Sequence, residues 1–335
     1  MQKRKLGNSD LLVSVIGIGC WQFGGGQYWG QQSQQDVNEV VHQALDAGVN
    51  FFDTAEVYND GDSETSLGIA LRGRRSEAVI GSKIAPSNMQ PATLRQHCEQ
   101  SLKRLGTDFL DLYMVHWPMA AEQQQIREAF QMLQSLQQEG KIRYIGVSNH
   151  GIEQMRQVRE SGAAFVANEL AYNLLSRAIE ESLLPYCARE QVGVIAYMPL
   201  QQGLLTGKYA SLEEMKPVRA RSRHFHHRRG EGTRHGEDGA EDEINRALPE
   251  LARIAKEQGI SLSELALAWV IANPDIATTI VGCRNEQQLK ANLQGACTTL
   301  DPSVIERLNR ITGPVLEKLG SSPDYYENRA KSRIL

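Results

Sequence analysis

Long apolar runs, a strong net charge and paired cysteines are all missing from this 335-residue sequence. Without a stretch of about 18 consecutive apolar residues, the chain has no candidate for a membrane-spanning helix. A formal net charge of -4 gives no reason to expect nucleic acid as a partner. The five cysteines are odd in number and contain no C-x-x-C pair, which argues against a disulfide framework and favours a reducing compartment.

The N-terminus lacks the apolar run that follows the basic residues of a signal peptide. Together these absences predict a cytoplasmic protein, with no membrane and no nucleic acid among its partners. Hydrophobic residues make up 41% of the chain and charged residues 23%, which is ordinary for a protein with an apolar core. We expect residues 1–335 to form a single domain.

Eight short apolar runs, each followed by a turn and then by a helical pattern, predict parallel strands that alternate with helices. The predicted strands are Val15–Gly19, Asn50–Asp53, Ala78–Lys83, Asp111–His116, Ile142–Ser148, Phe165–Glu169, Gly193–Met198 and Thr278–Gly282. This alternation fits either a doubly wound sheet or a closed barrel. The G-x-G-x-x-G turn of a dinucleotide-binding doubly wound sheet does not follow the first strand. The strand count and this absence predict an α/β fold of the (β/α)8 TIM-barrel type.

Some segments lie outside the repeat. The start, RKLGNSDLLVSVIG, has two short apolar stretches around a turn sequence, which predicts an N-terminal β-hairpin that closes the bottom of the barrel. Residues 217–242 are basic and then acidic and contain few apolar residues. They predict a long loop after the seventh strand, and loops of this length are usually functional or disordered. We therefore expect extra helices and loops at the C-terminal face.

Ionisable residues end three consecutive predicted strands, namely Asp53, Lys83 and His116. The active site of a (β/α)8 barrel forms at the C-terminal ends of the strands, and neighbouring strands lie about 4.8 Å apart. These side chains are therefore expected to converge, together with Tyr58 from the loop after Asp53. Taken singly, each has an ordinary alternative as a cap, a salt-bridge partner or a packing residue.

A phenol beside an ammonium group is suited to protonating an oxyanion. A tyrosine ordinarily titrates at about 10, and a charged Lys83 is expected to lower the pKa of Tyr58 by stabilising the phenolate. Asp53 would hold Lys83 charged and in place, and His116 would donate a hydrogen bond to a substrate carbonyl. The set predicts protonation of a carbonyl oxygen as hydride arrives.

Longer motifs around these residues resemble the aldo-keto reductase superfamily along nearly the whole chain. DTAEVYNDGDSETSLGIAL resembles the segment around the family's catalytic Asp and Tyr, and SLKRLGTDFLDLYMVHWP resembles the segment leading to its catalytic His. GKIRYIGVSN, YMPLQQGLLTGKY and GCRNEQQLKAN resemble its cofactor-binding segments. The motifs are more similar to the bacterial stress-protein and potassium-channel β-subunit branch than to mammalian aldose reductases.

The resemblance implies an NADP(H)-dependent reductase of aldehydes and ketones. Tyr58 would be the general acid, Lys83 and Asp53 would tune it, and His116 would orient the carbonyl. The small-molecule carbonyl substrate would be the main partner, and the chain would be a monomer or a weak homo-oligomer.

The implied cofactor, NADP(H), would lie extended across the barrel mouth. Ser148 and Asn149 would hold the nicotinamide carboxamide, Tyr197 would stack on its ring, and Lys208 would add charge near the pyrophosphate. Arg284 would bind a 2′-phosphate, since its planar fork suits phosphate oxygens. Structural alternatives are a helix cap for Ser148 and Asn149, barrel core for Tyr197 and a surface charge for Arg284. The implied cofactor-binding residues are Gly19, Cys20, Trp21, Asp53, Ser148, Asn149, Glu169, Tyr197, Pro199, Leu200, Gly203, Leu205, Gly207, Lys208, Arg219, Gly282, Arg284, Gln288 and Asn292.

Two positions depart from the family pattern. Glu169 stands where the family usually has a Gln facing the nicotinamide amide, and a carboxylate accepts from that NH₂ but cannot donate to its oxygen. Ala291 stands just before Asn292, where a Glu usually contacts the adenine. Both departures concern cofactor contacts and leave the proposed acid–base group untouched.

Aromatic residues near the barrel mouth predict an apolar wall for the substrate. The predicted substrate-pocket residues are Trp21, Tyr28, Trp29, Tyr58, His116 and Trp117. Tyr28 and Trp29 have the alternative of merely covering the barrel top, and the glycines at 24–26 suggest a loop that closes over substrate. In the 217–242 loop, the histidine spacing fits no standard zinc site, so no metal is predicted. The loop is expected to become ordered over the pyrophosphate through Arg219, Arg221 or Arg223.

Two other functions compete with carbonyl reduction. One is a redox-sensing or regulatory subunit with slow turnover, which would retain the same four residues. The other is a barrel lyase that uses Lys83 to form a Schiff base, against which the cofactor-like segments argue.

Overall fold

In the computed structural model, which describes residues 1–26, 28–209 and 211–335, eight parallel strands close into a barrel surrounded by helices. An antiparallel hairpin of β1 (Lys3–Lys5) and β2 (Leu12–Ser14) precedes the barrel. The barrel strands are β3 (Ile16–Gly19), β4 (Phe51–Asp53), β5 (Val79–Ile84), β6 (Leu110–Val115), β7 (Ile142–Ser148), β8 (Ala167–Ala171), β9 (Gly193–Tyr197) and β10 (Ile276–Val281). They pair in chain order, and β10 closes the ring against β3.

The α-helices of the described residues lie outside the barrel and after its strands. They are α1 (Gln34–Asp46), α2 (Asp62–Ala70), α3 (Pro91–Leu105), α4 (Gln123–Gln138), α5 (Ile152–Glu160), α6 (Leu183–Arg189), α7 (Glu241–Glu257), α8 (Leu262–Ala272), α9 (Glu286–Cys297) and α10 (Pro302–Leu319). A single α-helix follows each of β3 to β8, whereas α7 and α8 lie between β9 and β10. The (β/α)8 TIM barrel with an N-terminal hairpin is therefore confirmed.

Local sequence signals set the starts of two helices. The Ser33 side chain accepts a hydrogen bond from the Asp36 amide at 3.0 Å, and Ser261 and Glu264 form a reciprocal capping box. Such caps satisfy amides that have no partner within the helix. The apolar positions of α1, spaced as one helical face, are all buried: Val37, Val40, Val41, Ala44 and Leu45.

The hairpin closes the bottom of the barrel, as predicted. Leu6, Leu11 and Val13 are buried against a group of residues that fills the barrel interior. Gly7 has φ of +54°, and a Cβ there would lie 2.1 Å from the Val166 carbonyl oxygen. Only glycine fits such a close backbone approach, so the turn sequence lets the hairpin reach the barrel.

Two strand ends differ from the predicted bounds in ways that concern the site. β8 runs from Ala167 to Ala171 and pairs with β9 over its whole length, so Glu169 is central in its strand and not at the end. His116 follows β6, but its amide donates to the Ile84 carbonyl at 2.9 Å and keeps the rim aligned. Hydrogen-bond pairing with the neighbouring strands sets these ends, and the apolar pattern of a single segment does not reveal that pairing.

The 217–242 segment is packed against the rest of the protein. Arg223 and His224 are fully buried and Phe225 is nearly so. The Arg223 guanidinium donates to the carbonyls of Leu319 at 2.8 Å and Ser322 at 2.6 Å. This side chain holds the C-terminal segment, so the expectation that Arg223 binds pyrophosphate is wrong. Among the described helices, none is both long and apolar enough to cross a membrane.

Candidate active site

Lys83 lies at the centre of the barrel mouth and is fully buried. Its Nζ donates to both carboxylate oxygens of Asp53 at 2.6 Å and to the Thr54 carbonyl at 3.1 Å. The same ammonium lies 3.4 Å from the Tyr58 hydroxyl. A buried charge is tolerated only when it is paired in this way.

Parallel pairing brings these side chains to one rim. Asp53 ends β4 beside Gly81 of β5, and Lys83 stands two residues further along β5. After Asp53 the chain turns into a short 3-10 helix, Tyr58–Gly61, in which Asn59 has the left-handed φ of 50°. The Asn59 side chain donates to the carbonyls of Trp21 and Phe23 at 2.9 and 2.8 Å, which fixes the turn that carries Tyr58.

His116 completes the group of four predicted catalytic residues. Its ring lies edge-on to Tyr58, with centroids 5.7 Å apart and planes at 78°. Trp21 contacts the other side of Tyr58 at 5.9 Å. Burial, helped by the charge of Lys83, lowers the pKa of His116 to about 3. The imidazole is therefore neutral near pH 7 and has one N–H to donate.

The pKa of Tyr58 shifts in the direction opposite to the sequence-based expectation. Burial raises it above the ordinary value; Lys83 lowers it, but the charges of Asp53 and Glu169 oppose Lys83. Burial by itself lowers the pKa of Lys83, yet Asp53, Glu169 and Tyr58 together raise it above its usual range. Lys83 is thus held as an ammonium, which disfavours the Schiff-base alternative, because a nucleophilic amine must be neutral.

Glu169 places a second carboxyl beside Lys83. Its Oε2 lies 3.2 Å from Nζ, but no donor of the described residues makes a hydrogen bond to it. Asp53 takes the shorter, twofold contact. Burial, followed by the charge of Asp53, raises the pKa of Glu169 to about 8. Burial also raises the pKa of Asp53, but the charge and hydrogen bonds of Lys83 lower it again. Lys83 thus stabilises the Asp53 carboxylate better than that of Glu169, and Glu169 is the carboxyl that more readily holds a proton near pH 7.

The residues expected at the nicotinamide lie together next to His116. The Tyr197 hydroxyl donates to Asn149 Oδ1 at 2.8 Å. The Asn149 side-chain amide in turn lies 3.0 Å from Ser148 Oγ and 3.2 Å from the His116 carbonyl. Ser148 Oγ also donates to the Glu169 carbonyl at 3.2 Å. This network joins residues of β7, β8 and β9 to the backbone of His116.

The residues that follow β3 connect it to the neighbouring strand ends through hydrogen bonds to backbone carbonyls. The Cys20 amide donates to the Asp53 carbonyl at 2.8 Å, and the Cys20 side chain is fully buried. Gln22, which the sequence did not single out, donates to the carbonyls of Gly19 at 2.8 Å and Cys283 at 3.0 Å. A Cβ on Gly282 would lie 3.1 Å from Gln22 Oε1, so the ends of β3 and β10 meet closely here.

The segment expected at the pyrophosphate is a tight turn after β9. Gln201–Thr206 is a 3-10 helix in which Gln202 and Gly203 have left-handed φ values of 53° and 96°. Three consecutive residues, Gln201 to Gly203, have positive φ, and such a tight turn leaves backbone amides outside regular helix pairing, where they can bind an anion. The Lys208 side chain lies beside Gly203. The same turn contains the other predicted residues Pro199, Leu200, Leu205 and Gly207, of which Pro199 and Leu205 are buried.

At the end of the site that is expected to bind the adenosine, the Arg284 guanidinium already makes hydrogen bonds within the protein. It donates to Gln32 Oε1 at 2.8 Å, to the Trp29 carbonyl at 2.7 Å and to the Gln31 carbonyl. These acceptors are all uncharged. The Arg284 amide donates to Gln288 Oε1 at 2.9 Å, so the two residues are neighbours as predicted.

Two buried polar atoms indicate that these residues fit a nicotinamide dinucleotide. Asn292 Nδ2, at the adenosine end, and Glu169 Oε2, at the nicotinamide end, have no hydrogen-bond partner within the described part of the chain. Buried polar groups are rarely left unpaired. An adenosine and a carboxamide NH₂ would supply an acceptor to the first and a donor to the second.

The aromatic wall forms as expected around Trp21. Tyr28 stacks on Trp21 with centroids 4.8 Å apart, and Trp29 meets both rings edge-on. The guanidinium of Arg219 lies 5.4 Å from the Trp29 centroid and that of Arg221 lies 5.7 Å from Tyr28. The two loops therefore contact each other across the barrel mouth.

The C-terminal segment also reaches the barrel mouth, which the sequence did not predict. Arg333 stacks 3.6 Å over the ring of Trp117 and binds both oxygens of Asp324. The Tyr326 hydroxyl lies 3.2 Å from the side-chain amide of Gln202. Adjacent tyrosines in the otherwise polar stretch SSPDYYENRAK were the signal that could have revealed this contact.

His226, His227 and Asp238 bring possible metal ligands together on the protein surface, in the segment for which no metal was predicted. Their ligand atoms lie within 4.8 Å of one another. Asp238 is exposed, and the two rings stack with centroids 4.4 Å apart. A structural zinc site needs four ligands, and the described residues bring only these three together here.

Comparison with known proteins agrees with this geometry. The profile of the Aldo/keto reductase family matches residues 15–312. An NADH-specific methylglyoxal reductase of Escherichia coli is 31% identical over 338 residues, covering 92% of this chain and 100% of that protein. A probable voltage-gated potassium channel subunit beta of rice, Oryza sativa, is 31% identical and covers 93% of this chain and 96% of its own.

A solved structure shows the same overall arrangement. The aldo-keto reductase of Klebsiella pneumoniae in complex with NADPH is 27% identical with a TM-score of 0.74, covering 100% of this chain and 99% of that one. The family match, the relatives and this structure all agree with the barrel fold. This chain belongs to the aldo/keto reductase family.

Proposed function

We propose that this protein reduces aldehydes and ketones to alcohols, with NADPH as hydride donor and Tyr58 as general acid. The observation that carries the proposal is the convergence of four side chains at the barrel mouth. Lys83 Nζ lies 3.4 Å from the Tyr58 hydroxyl and 2.6 Å from both oxygens of Asp53, and His116 lies against Tyr58.

The reduced cofactor supplies a hydride to the carbonyl carbon. The O–H bond of Tyr58 breaks as its proton passes to the carbonyl oxygen, and Lys83 stabilises the phenolate that remains. His116 donates a hydrogen bond to the same oxygen and so orients the carbonyl. Asp53 keeps Lys83 protonated and in place.

The uncharged surroundings of the Arg284 guanidinium support a preference for NADPH over NADH. Its acceptors are uncharged, and within the described ranges it forms no ion pair with a carboxylate, so its positive charge is free to attract a 2′-phosphate. The relative from Escherichia coli is named NADH-specific, so the choice between cofactors is specific to each chain. The aromatic wall of Trp21, Tyr28 and Trp29 supports a carbonyl substrate with an apolar side. The cytoplasmic location and the monomeric or weakly oligomeric state stay predictions.

The test is Tyr58→Phe, with Tyr144→Phe as a matched control. Tyr144 lies on β7 at the far end of the barrel, where its hydroxyl binds Asp10. We expect Tyr58→Phe to keep NADPH affinity in a fluorescence titration and to lose carbonyl reduction by about 10²- to 10⁴-fold, the usual contribution of a general acid. The control should keep both.

Normal aldehyde reduction by Tyr58→Phe would show that Tyr58 is not the acid. If the wild-type protein binds NADPH tightly but turns over very slowly with every carbonyl of a broad panel, the redox-sensing alternative replaces the enzyme. If no nicotinamide nucleotide binds, the proposed function is lost altogether.

A further inference from the structure

The proposed reaction makes no use of Glu169, although its carboxyl is buried at the barrel mouth. Its Oε2 lies 3.2 Å from Lys83 Nζ, and its carboxyl also contacts that of Asp53. Asp53 binds the same ammonium through two bonds of 2.6 Å. One ammonium therefore faces two carboxyl groups, and it neutralises only one of them.

The two carboxyls differ in how well Lys83 stabilises their ionised forms. Like charges at close range disfavour double ionisation, and Asp53 has the shorter and twofold contact. Glu169 is therefore the group that holds a proton. Burial and the charge of Asp53 raise its pKa to about 8, so Glu169 changes charge in a pH range that binding measurements can reach.

The other ionisable groups facing Glu169 come from three surrounding elements. Asp53 ends β4 and Tyr58 follows it, Lys83 is on β5, and Tyr197 is on β9. The pKa values of Lys83, Tyr58 and Tyr197 are all raised above their ordinary values, so these groups keep their protons up to pH 9.5. Burial raises the pKa of Asp53, but the charge and hydrogen bonds of Lys83 lower it again, so Asp53 keeps its charge more readily than Glu169. Glu169 is therefore the member of this group that titrates between pH 7 and 9.5.

We propose that Glu169 sets the preference of the site between the oxidised and the reduced cofactor. The inference rests on the proposed function. The Glu169 carbonyl accepts hydrogen bonds from the Ser148 hydroxyl at 3.2 Å and the Asn149 amide at 2.9 Å, the residues expected to hold the carboxamide. The oxidised nicotinamide ring carries a positive charge that the reduced ring lacks. An ionised Glu169 attracts that charge, and a protonated one does not.

The sign of the pH dependence follows directly. As the pH rises through the pKa of Glu169, NADP⁺ binds more tightly relative to NADPH, and as it falls the advantage of NADP⁺ disappears. An opposite charge within about 4–6 Å shifts a pKa by about 1 to 3 units. By linkage, the affinity ratio then changes by about tenfold or more. Low pH thus favours the state ready for carbonyl reduction.

The experiment measures Kd for NADP⁺ and for NADPH between pH 7 and 9.5 by fluorescence titration. The phosphates are the same in both nucleotides, so their ionisation cancels in the ratio. Glu169→Gln keeps the shape and removes the charge. Glu128→Gln, at an exposed position of α4, changes the net charge equally at a distance. We expect an approximately tenfold or larger change in wild type and in Glu128→Gln, and a constant ratio in Glu169→Gln.

A second measurement needs no variant. Because NADP⁺ favours ionised Glu169, its binding at pH 7.5 should release a fraction of a proton, and NADPH binding should release less. Titration calorimetry in buffers of different ionisation enthalpy measures this difference. A constant Kd ratio in wild type, a ratio that still varies in Glu169→Gln, or equal proton release would each overturn the inference. If neither nucleotide binds, it is the proposed function that has failed.

Discussion

Replacing Lys83 by Met tests whether its charge holds the barrel mouth together. Lys83 is fully buried, and Asp53, which it binds through both carboxylate oxygens, is 1% exposed. The variant leaves the Asp53 charge buried without its partner, for which the usual cost is about 3–5 kcal/mol. Glu169 adds little to this cost near pH 7, because it already holds a proton.

The loss should depend on pH, because Asp53 can escape its unpaired state by taking up a proton. Protonating a carboxyl whose unfolded pKa is about 3.9 costs about 1.36 kcal/mol for each pH unit above that value. Protonation of Asp53 therefore limits the loss in the free energy of unfolding to about 2.9 kcal/mol at pH 6 and about 5.6 kcal/mol at pH 8. In Lys83→Met the folded-state pKa of Asp53 is raised. Stability is then present at low pH and is lost as the pH rises from the unfolded towards the folded pKa.

The assay is urea denaturation at pH 6 and pH 8, followed by tryptophan fluorescence, with wild type and variant side by side. The control is the double variant Asp53→Leu with Lys83→Met. Replacing both members of a buried pair by apolar residues is often neutral, so the double variant should regain most of the loss. A loss below about 1 kcal/mol at pH 8, or a loss clearly above about 2.9 kcal/mol at pH 6, would refute the reasoning.

Two further predictions concern arginines that the fold uses differently. Arg223→Met leaves the carbonyls of Leu319 and Ser322 without their donor, and should lower the free energy of unfolding by about 2–4 kcal/mol in urea denaturation. The control is Arg246→Met, at a side chain that is 72% exposed, which should change the free energy of unfolding by less than about 0.5 kcal/mol. If both variants lost the same stability, Arg223 would not have the structural role that we assign to it. Arg284→Leu should weaken NADPH binding by about tenfold while leaving NADH nearly unchanged, because only NADPH carries the 2′-phosphate; an equal loss for both in fluorescence titration would contradict that assignment.

The convergence of Asp53, Tyr58, Lys83 and His116 could be predicted because their positions follow from a local pattern and a simple rule of topology. Asp53, Lys83 and His116 each end or follow an apolar run, and parallel strands bring their C-terminal ends to one rim. The hairpin could be predicted in the same way, from a turn sequence between apolar stretches. In each case neighbours along the chain carry the information.

Other parts of the site could not be predicted, because they depend on residues far apart in the sequence. The stacking of Arg333 on Trp117 and the contact of Tyr326 with Gln202 join the last residues to the barrel mouth. Arg284 binds the loop at Trp29, some 255 residues away. The spacing of residues along the chain cannot predict such contacts, because the two partners do not belong to one repeating pattern.

The sequence by itself determined the alternation of strands and helices, the barrel and the identity of the groups at its mouth. Only the tertiary structure decided their charge states. The proximity of Lys83 predicted a lowered pKa for Tyr58, but burial and the neighbouring acidic groups raise it, and Glu169 holds a proton more readily than Asp53. The physical reason is that a pKa depends on how much water each group has lost and on distances to every charge around it, quantities that exist only once the chain has folded.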